Sequence, residues 1–304
     1  MLARLVPGPL VRWFARPYVA GDSIESALKV ADERLREDGV LTTLDLLGED
    51  VRTPEQVRTN VATYRSLIES LAEDPRFSHA ATRPSVSVKP SAFTCGERED
   101  ARKPIEELAE IAHEHGVAMT IDMEDRNWTD LTLEMSLALF QRGWDVGTVL
   151  QTRLHRTVKD IETIPAGMRL RLVIGIYPEP AEAAVRDKRV MKERLVEYSG
   201  RLLDRGVFVE YASHDIEFAE RFVQDVAGAA PERCEVQMLL GVPRADFRRR
   251  LQAGEMGSRV PLRLYVPFAV GWADATAYLR RRMEESPNVG WLVIRNFFAG
   301  RSNR

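Results

Sequence analysis

The sequence predicts an α/β protein whose strands close into a parallel (βα)8 barrel of the TIM type, preceded by a helical extension. Eight short apolar stretches recur along the chain, and amphipathic stretches with a helical period separate them. Eight buried strands alternating with helices over about 250 residues are typical of a closed barrel rather than an open sheet. The apolar stretches are 40–47, 85–89, 118–121, 146–151, 170–177, 207–212, 235–240 and 262–267.

The first element in order is a helix expected at 23–38. Asp22 or Ser23 can cap its start, and Gly39 stands where a helix commonly ends. Between the first two strands, 54–71 repeats apolar residues at helical spacing, and the stretch 188–203 does the same later in the chain.

The domain organisation follows from the absence of any linker composition, repeat or low-complexity segment. We expect one domain, with N-terminal helices at 1–39, a barrel at 40–290 and a tail at 291–304. Prolines and Arg12 interrupt any signal-peptide core near the N-terminus. That segment is expected to pack as a short helix on the protein body, with contact to a membrane surface as the alternative.

Composition excludes several classes of protein. A net charge of −3 shows no basic footprint for nucleic acid. Cys95 and Cys234 lie too far apart in sequence for a zinc knuckle or a disulfide framework, which favours reduced thiols in the cytoplasm. No apolar run approaches the roughly 18 to 20 residues that cross a bilayer.

Polar side chains follow nearly every predicted strand. In a parallel barrel the carboxyl ends of the strands form the functional face, so these residues are the candidates for a site. They are Asp45, Glu49, Lys89, Asp122, Glu124, Asp125, Gln151, Tyr177, His214, Asp215, Gln237 and Tyr265.

Several barrel chemistries find weak support among these residues. Of the histidines only His214 ends a strand, so no metal site is expected. Lys89 is the one candidate for a Schiff-base lysine. Gly241 alone does not make a phosphate-binding loop, and no G-x-G-x-x-G follows an early strand.

A helix expected near the C-terminus offers a binding face. Helical geometry puts Tyr278, Arg281, Arg282 and Glu285 on one side and Arg280 on another. Two adjacent guanidiniums with a carboxylate one turn on form a fork that suits a small carboxylate ligand. The alternative is a solvated charge run with no ligand.

Nine fragments in order resemble the proline dehydrogenase family, most closely its monofunctional bacterial branch. The resemblance covers nearly the whole chain and includes the Y-x-x-R-R-x-x-E pattern of the C-terminal helix. The fragments are 44–49, 87–89, 121–125, 146–151, 171–177, 212–215, 235–239, 264–267 and 278–285.

The resemblance implies a barrel that holds FAD at the strand carboxyl ends and oxidises L-proline to Δ1-pyrroline-5-carboxylate, the first step of proline catabolism to glutamate. It implies electron transfer to membrane quinone, and therefore a cytoplasmic protein with peripheral contact to the inner face of the membrane left open. Residues implied for the substrate are Lys89, Asp122, Tyr177, Leu239, Tyr265, Tyr278, Arg281, Arg282 and Glu285. Residues implied for the flavin are Gln151, Arg171, Val173, Gly175 and His214.

The fifth strand departs from the family pattern R-L-V-K-G-A-Y. Ile174 replaces the lysine and Ile176 replaces the alanine, and Pro178 follows Tyr177. Two alternatives follow: an FAD-dependent dehydrogenase of a related small cyclic amino acid, or a flavin-poor barrel that only binds a small carboxylate. The oligomeric state is not predicted.

Overall fold

The computed structural model describes residues 17–49, 51–242 and 244–271, in which eight parallel strands close into a barrel in sequence order. The last strand pairs with the first, with Leu41 opposite Arg263 and Leu46 opposite Phe268. The predicted (βα)8 barrel is confirmed. The strands are β1 (Leu41–Leu46), β2 (Ser85–Val88), β3 (Met119–Ile121), β4 (Val146–Gln151), β5 (Arg169–Val173), β6 (Phe208–Ala212), β7 (Cys234–Leu239) and β8 (Leu262–Phe268).

Helices precede the first strand and lie between successive strands. The first helix confirms its predicted caps: the Ser23 side chain accepts a hydrogen bond from the Ser26 N–H, and Gly39 ends the helix in the left-handed conformation at φ 61°. The helices are α1 (Ile24–Asp38), α2 (Pro54–Glu73), α3 (Arg102–Glu114), α4 (Thr129–Gln141), α5 (Thr157–Asp160), α6 (Lys188–Asp204), α7 (Ile216–Arg221) and α8 (Ala245–Ala253).

Helix α2 is tied to the carboxyl ends of the first two strands by one buried side chain. The Tyr64 hydroxyl accepts a hydrogen bond from the Leu46 N–H at 3.1 Å and donates one to the Ser87 carbonyl at 2.5 Å. Tyr64 is 1% exposed, so both bonds are shielded from water. The side chain thereby sets the spacing of the strand ends that carry Asp45 and Lys89.

Strand β5 places two arginines inside the barrel. Arg171 reaches Ser87 of β2 and Gln237 of β7, which are not neighbours of β5, so its side chain crosses the interior. Arg169, two residues earlier and on the same face, pairs with Glu210 at 2.9 Å. The intervening Leu170 is fully buried and belongs to the hydrophobic core. The barrel interior is therefore partly ionic.

The predicted extent of the fifth strand, 170–177, was wrong at its carboxyl end. The strand stops at Val173, and Gly175 adopts φ 90°, which takes the chain out of the extended conformation. The stretch 174–177 therefore forms a loop over the strand ends. The sequence pattern missed this because isoleucine and tyrosine on both sides of the glycine have strand propensity.

Some predicted elements lie outside the described residues. These are the N-terminal segment before Pro17 and the stretch 272–304, which contains the predicted arginine helix and the tail. Among the helices of the described ranges, none combines the length and the apolar character needed to cross a membrane.

Candidate active site

Lys89 lies at the centre of a group of acidic side chains at the strand carboxyl ends. Its ammonium donates hydrogen bonds to Asp45 Oδ1 and, at 3.2 Å, to the Tyr265 hydroxyl. It also lies 3.6 Å from Glu49 Oε1 and 4.0 Å from Asp122 Oδ2. Lys89 is therefore closer to Asp45 than to Asp122.

The charges of this group shift one another's pKa values. Burial by itself would lower the pKa of Lys89, but the Asp45, Tyr265, Glu49 and Asp122 groups hold it well above its usual range. Burial raises the pKa of the Asp45 carboxyl to about 7, with Lys89 opposing the rise and Glu49 and Asp122 adding to it. Lys89 is therefore a persistent cation, whereas Asp45 changes charge near neutrality.

Arg171 is the second buried cation and is only 4% exposed. Its Nη1 donates to Asp122 Oδ1 at 2.6 Å and to Ser87 Oγ at 3.3 Å, and its Nε donates to Gln237 Oε1 at 2.6 Å. Its Nη2 is buried and makes no hydrogen bond to the described part of the chain. Burial would lower the pKa of Arg171, but Asp122 and Glu210 raise it, so the guanidinium stays charged.

Tyr265 joins the two cations. Its hydroxyl donates to Asp122 Oδ2 at 2.7 Å, and its ring centroid lies 5.7 Å from Lys89 Nζ and 5.1 Å from the Arg171 guanidinium carbon. Burial, together with the charges of Asp122 and Asp45, raises the pKa of Tyr265 well above its usual range. The phenol therefore remains a neutral hydrogen-bond donor between two positive charges.

Gln151 and Gly175 form the adjoining part of the site, at the ends of β4 and β5. Gln151 Nε2 donates to the Glu124 carbonyl at 2.7 Å, while its buried Oε1 accepts no hydrogen bond from the residues described. A Cβ at Gly175 would overlap Gln151 Oε1 and would lie 2.7 Å from Arg153 Cδ. Glycine is therefore required at 175 both by its positive φ and by the closeness of these side chains.

Four other residues predicted for the site are described by the structure: Tyr177, Leu239, His214 and Val173. Tyr177 is half-buried, and burial raises the pKa of its phenol, with the Glu124 charge adding to the rise. Leu239 and His214 adjoin, since the Leu239 N–H donates to His214 Nε2 at 3.4 Å. Val173 is half-buried at the end of β5. The predicted substrate residues Tyr278, Arg281, Arg282 and Glu285 lie outside the described residues.

Four further polar residues at strand ends were candidates from the sequence, but none was assigned a role in binding substrate or flavin. Asp45 and Glu49 approach Lys89, and Gln237 binds Arg171. Glu124 accepts hydrogen bonds from the Ser91 N–H at 2.7 Å and the Ser91 hydroxyl at 2.6 Å. Their position at strand ends was the available signal, but which partner each would meet depends on the closed barrel.

No three histidine, cysteine, aspartate or glutamate side chains within 17–49, 51–242 and 244–271 group in a way that could hold a metal ion. The described site instead offers the half-buried Lys89 ammonium, the buried Arg171 guanidinium, a neutral phenol and two polar atoms, Arg171 Nη2 and Gln151 Oε1, without hydrogen bonds in the described residues. Charged and hydrogen-bonding groups gathered at the carboxyl ends of a parallel barrel are typical of the ligand site of a barrel enzyme.

Comparisons with known proteins identify the family. Residues 28–177 match the family model described as proline dehydrogenase. The chain is 33% identical over 300 residues to a proline dehydrogenase of Deinococcus radiodurans, covering 94% of this chain and 90% of the relative. It is 31% identical to proline dehydrogenase 1 of Bacillus subtilis strain 168, covering 92% and 89%. The chain belongs to the proline dehydrogenase family.

Solved structures show the same fold. The proline utilization A protein of Bdellovibrio bacteriovorus, solved after inactivation by N-propargylglycine, superimposes with a TM-score of 0.72 at 22% identity over 90% of this chain. The chain spans 33% of the length of that protein. A second proline utilization A structure, with proline bound in remote sites, gives a TM-score of 0.70 at 22% identity over 88% of this chain and 30% of the other.

Proposed function

We propose that this protein oxidises L-proline to Δ1-pyrroline-5-carboxylate with FAD as the hydride acceptor and membrane quinone as the electron acceptor. Membership of the family supports proline oxidation as the reaction. The observation that carries the flavin assignment is that Arg171 Nη2 and Gln151 Oε1, two of the eight buried side-chain atoms without hydrogen bonds in the described residues, both belong to the candidate site. Such groups are costly to leave unpaired, so they indicate a ligand with complementary polar atoms.

The residues present fit a flavin. The edge of the isoalloxazine ring carries both hydrogen-bond acceptors and an N–H donor, which match a guanidinium N–H and an amide oxygen. Gly175 lets Gln151 and Arg153 pack directly against the backbone after β5, which holds the Gln151 amide in place at the proposed flavin site. Gln151, Arg171, Val173 and Gly175 would hold the ring, and His214 would lie toward the adenosine half. FAD would supply the acceptor for hydride from the proline carbon next to nitrogen.

The substrate would be bound through its two charges. Lys89 is a persistent cation that can hold the carboxylate of proline, and the predicted Arg281 and Arg282, steadied by Glu285, would complete that site. In the described part of the site, four carboxyl groups surround two cations, which leaves an excess of negative charge for the proline nitrogen. Those carboxyl groups are Asp45, Glu49, Asp122 and Glu124.

The aromatic and aliphatic residues would enclose the ring of proline. Leu239 ends β7, Tyr265 lies within β8 and Tyr177 lies in the loop after β5. Tyr278 is predicted on the face of the arginine helix. Removing water from around Lys89 and Arg171 strengthens their hold on charged groups, because the effective dielectric constant falls. Since quinone lies in the membrane, the protein would act in the cytoplasm at the inner face of that membrane.

The flavin spectrum tests the proposal directly. Purified protein supplied with FAD should bind it, and anaerobic L-proline should bleach the bound flavin. Lys89→Met should raise the proline concentration for half-maximal bleaching by about 10 to 100-fold, as expected for a lost charge-assisted bond of about 1.5–3 kcal/mol. The same substitution at the exposed Lys103 serves as control and should leave bleaching unchanged. Protein that takes up no FAD would refute the proposal.

A second candidate, oxidation of a related small cyclic amino acid, is favoured by one observation. Ile176 is 59% exposed in the loop after β5, where its bulk adjoins Gly175 at the proposed site. Ile174 packs against the hydrophobic core and supplies no cation there. Flavin bleached faster by a ring homologue than by proline would favour this candidate. Thermal stabilisation by proline analogues without FAD uptake would favour a flavin-poor binding protein.

A further inference from the structure

We propose that Gln237 is a positioning residue that orients the Arg171 guanidinium and so adjusts the reduction potential of the bound flavin. The proposal rests on the proposed function for its redox consequence. Its structural premise is a hydrogen-bonded chain inside the barrel that joins Arg171, Gln237, Glu235 and Arg263. The chain uses residues of β5, β7 and β8, all beneath the carboxyl ends of the strands.

The hydrogen-bonded chain of side chains is continuous and mostly buried. Arg171 Nε donates to Gln237 Oε1 at 2.6 Å, and Gln237 Nε2 donates to Glu235 Oε1 at 2.6 Å. Arg263 Nε in turn donates to Glu235 Oε1 at 2.7 Å. Gln237 is 3% exposed and Glu235 is 1% exposed, so water cannot replace either bond. Gln237 and Glu235 share one face of β7 because they stand two residues apart.

The orientation of the Gln237 amide is determined by its neighbours. A guanidinium only donates hydrogen bonds and a carboxylate only accepts them, so the amide oxygen must face Arg171 and the amide nitrogen must face Glu235. Neither the reversed amide nor an apolar side chain satisfies both neighbours. The hydrogen bond from Arg263 Nε fixes the Glu235 carboxylate at the far end of the hydrogen-bonded chain.

This arrangement leaves one guanidinium nitrogen of Arg171 for a ligand. Gln237 occupies Nε, and Asp122 and Ser87 occupy Nη1, so Nη2 is the nitrogen without a hydrogen bond among the described residues. A competitor for Nε lies close by, because Glu210 Oε2 is 3.4 Å from that atom. Without Gln237, we expect the guanidinium to turn toward Glu210 and to withdraw Nη2.

The redox consequence follows from the charge of Arg171. A cation near the flavin ring stabilises the reduced, negatively charged form more than the oxidised form. Moving the guanidinium away should weaken binding of reduced FAD relative to oxidised FAD by about tenfold, which lowers the two-electron potential by about 30 mV. The kcat for proline should fall by about tenfold, while KM stays within about twofold because Lys89 is untouched.

The experiment compares Gln237→Met with Gln252→Met, a matched change in α8, where the amide donates to the Asp38 carbonyl far from the site. Potentiometric titration of FAD-loaded protein should give the lower potential for the first variant only. In flavin-free protein, the Arg171 Nε–Hε NMR resonance, assigned by its loss in Arg171→Lys, should shift for Gln237→Met and not for Gln252→Met. Equal behaviour of the two variants in both measurements would overturn the proposal.

Exchanging the side chains of residues 237 and 235, which conserves the net charge, provides a second test. Gln237→Glu alone places two carboxylates face to face and should lower the potential. The double variant Gln237→Glu with Glu235→Gln reverses donor and acceptor within the pair, yet still offers an acceptor to Arg171 and another to Arg263. It should bring the Nε–Hε resonance back toward its wild-type position, and failure to do so would contradict the proposal even where Gln237→Met does not fold. Its potential should stay below wild type, because a carboxylate then faces Arg171.

The two measurements separate this proposal from the proposed function. Wild-type protein that binds no FAD would refute the flavin assignment, while the NMR resonance of the flavin-free variants would still decide whether Gln237 orients Arg171. If Gln237→Met shifts the Arg171 Nε–Hε resonance but leaves the flavin potential unchanged, Gln237 orients Arg171 as proposed. Its role in setting the reduction potential would then be overturned.

Discussion

Asp45→Asn should change how the stability of the protein depends on pH. The carboxyl is 1% exposed, and its pKa is raised from 3.8 to about 7 by burial. Because the folded state binds the proton more tightly than the unfolded state, Asp45 contributes stability below pH 4 that is lost as pH rises through about 7. A shift of about three pKa units corresponds to about 4 kcal/mol in total.

Most of that loss of stability falls in a pH range in which unfolding can be measured. Between about pH 5 and about pH 8 the wild-type protein should lose about 2–3 kcal/mol through Asp45, which the asparagine variant cannot lose because its side chain does not titrate. The free energy of unfolding of the variant relative to wild type should therefore rise by that amount across the range. Urea unfolding at each pH, with linear extrapolation to water, measures the difference.

The control is Asp246→Asn, whose carboxyl is 74% exposed and lies at the surface of α8. Because this side chain is exposed, the free energy of unfolding of the Asp246→Asn variant should stay within about 0.5 kcal/mol of wild type. A relative stability of Asp45→Asn that stays flat or falls between about pH 5 and about pH 8 would show that the buried carboxyl is already ionised throughout.

Three further outcomes are expected. Gly175→Ala should abolish tight FAD binding, because φ 90° and overlap with Gln151 Oε1 force the loop to move; unchanged flavin affinity in a fluorescence titration would contradict this. Tyr64→Phe should cost about 2–4 kcal/mol, since it leaves the Leu46 N–H and the Ser87 carbonyl unpaired, and it should lower the thermal midpoint by about 4–8 °C in a circular dichroism melt. FAD added at 100 times its Kd should stabilise the wild-type protein by about 2.7 kcal/mol, and an unaltered melting curve would contradict flavin binding.

The order of strands and helices could be predicted from the sequence because burial in this fold is periodic along the chain. A strand covered by helices outside and by side chains inside is a short apolar run, and each run was recognised. The end of β5 was missed because isoleucine and tyrosine with strand propensity flank Gly175, and the positive φ of that glycine depends on the packing of Gln151 and Arg153 around it.

The site was predictable as a set of residues but not as a set of contacts. Lys89, Asp122, Gln151 and Tyr265 could be named as candidates because the carboxyl ends of parallel strands converge at one face of the barrel, whereas Arg171 was implied only by the family resemblance. Which atoms pair there depends on distances of a few tenths of an ångström that no local pattern contains.

The sequence by itself determined the barrel, the family and the residues that reach the strand ends, since periodicity and short motifs are local properties. Only the tertiary structure decided that Asp45 rather than Asp122 is the close partner of Lys89, and that Gln237 lies between Arg171 and Glu235. The reason is that strands far apart in sequence face one another across the closed barrel, so their side-chain contacts depend on the register and stagger of all eight strands.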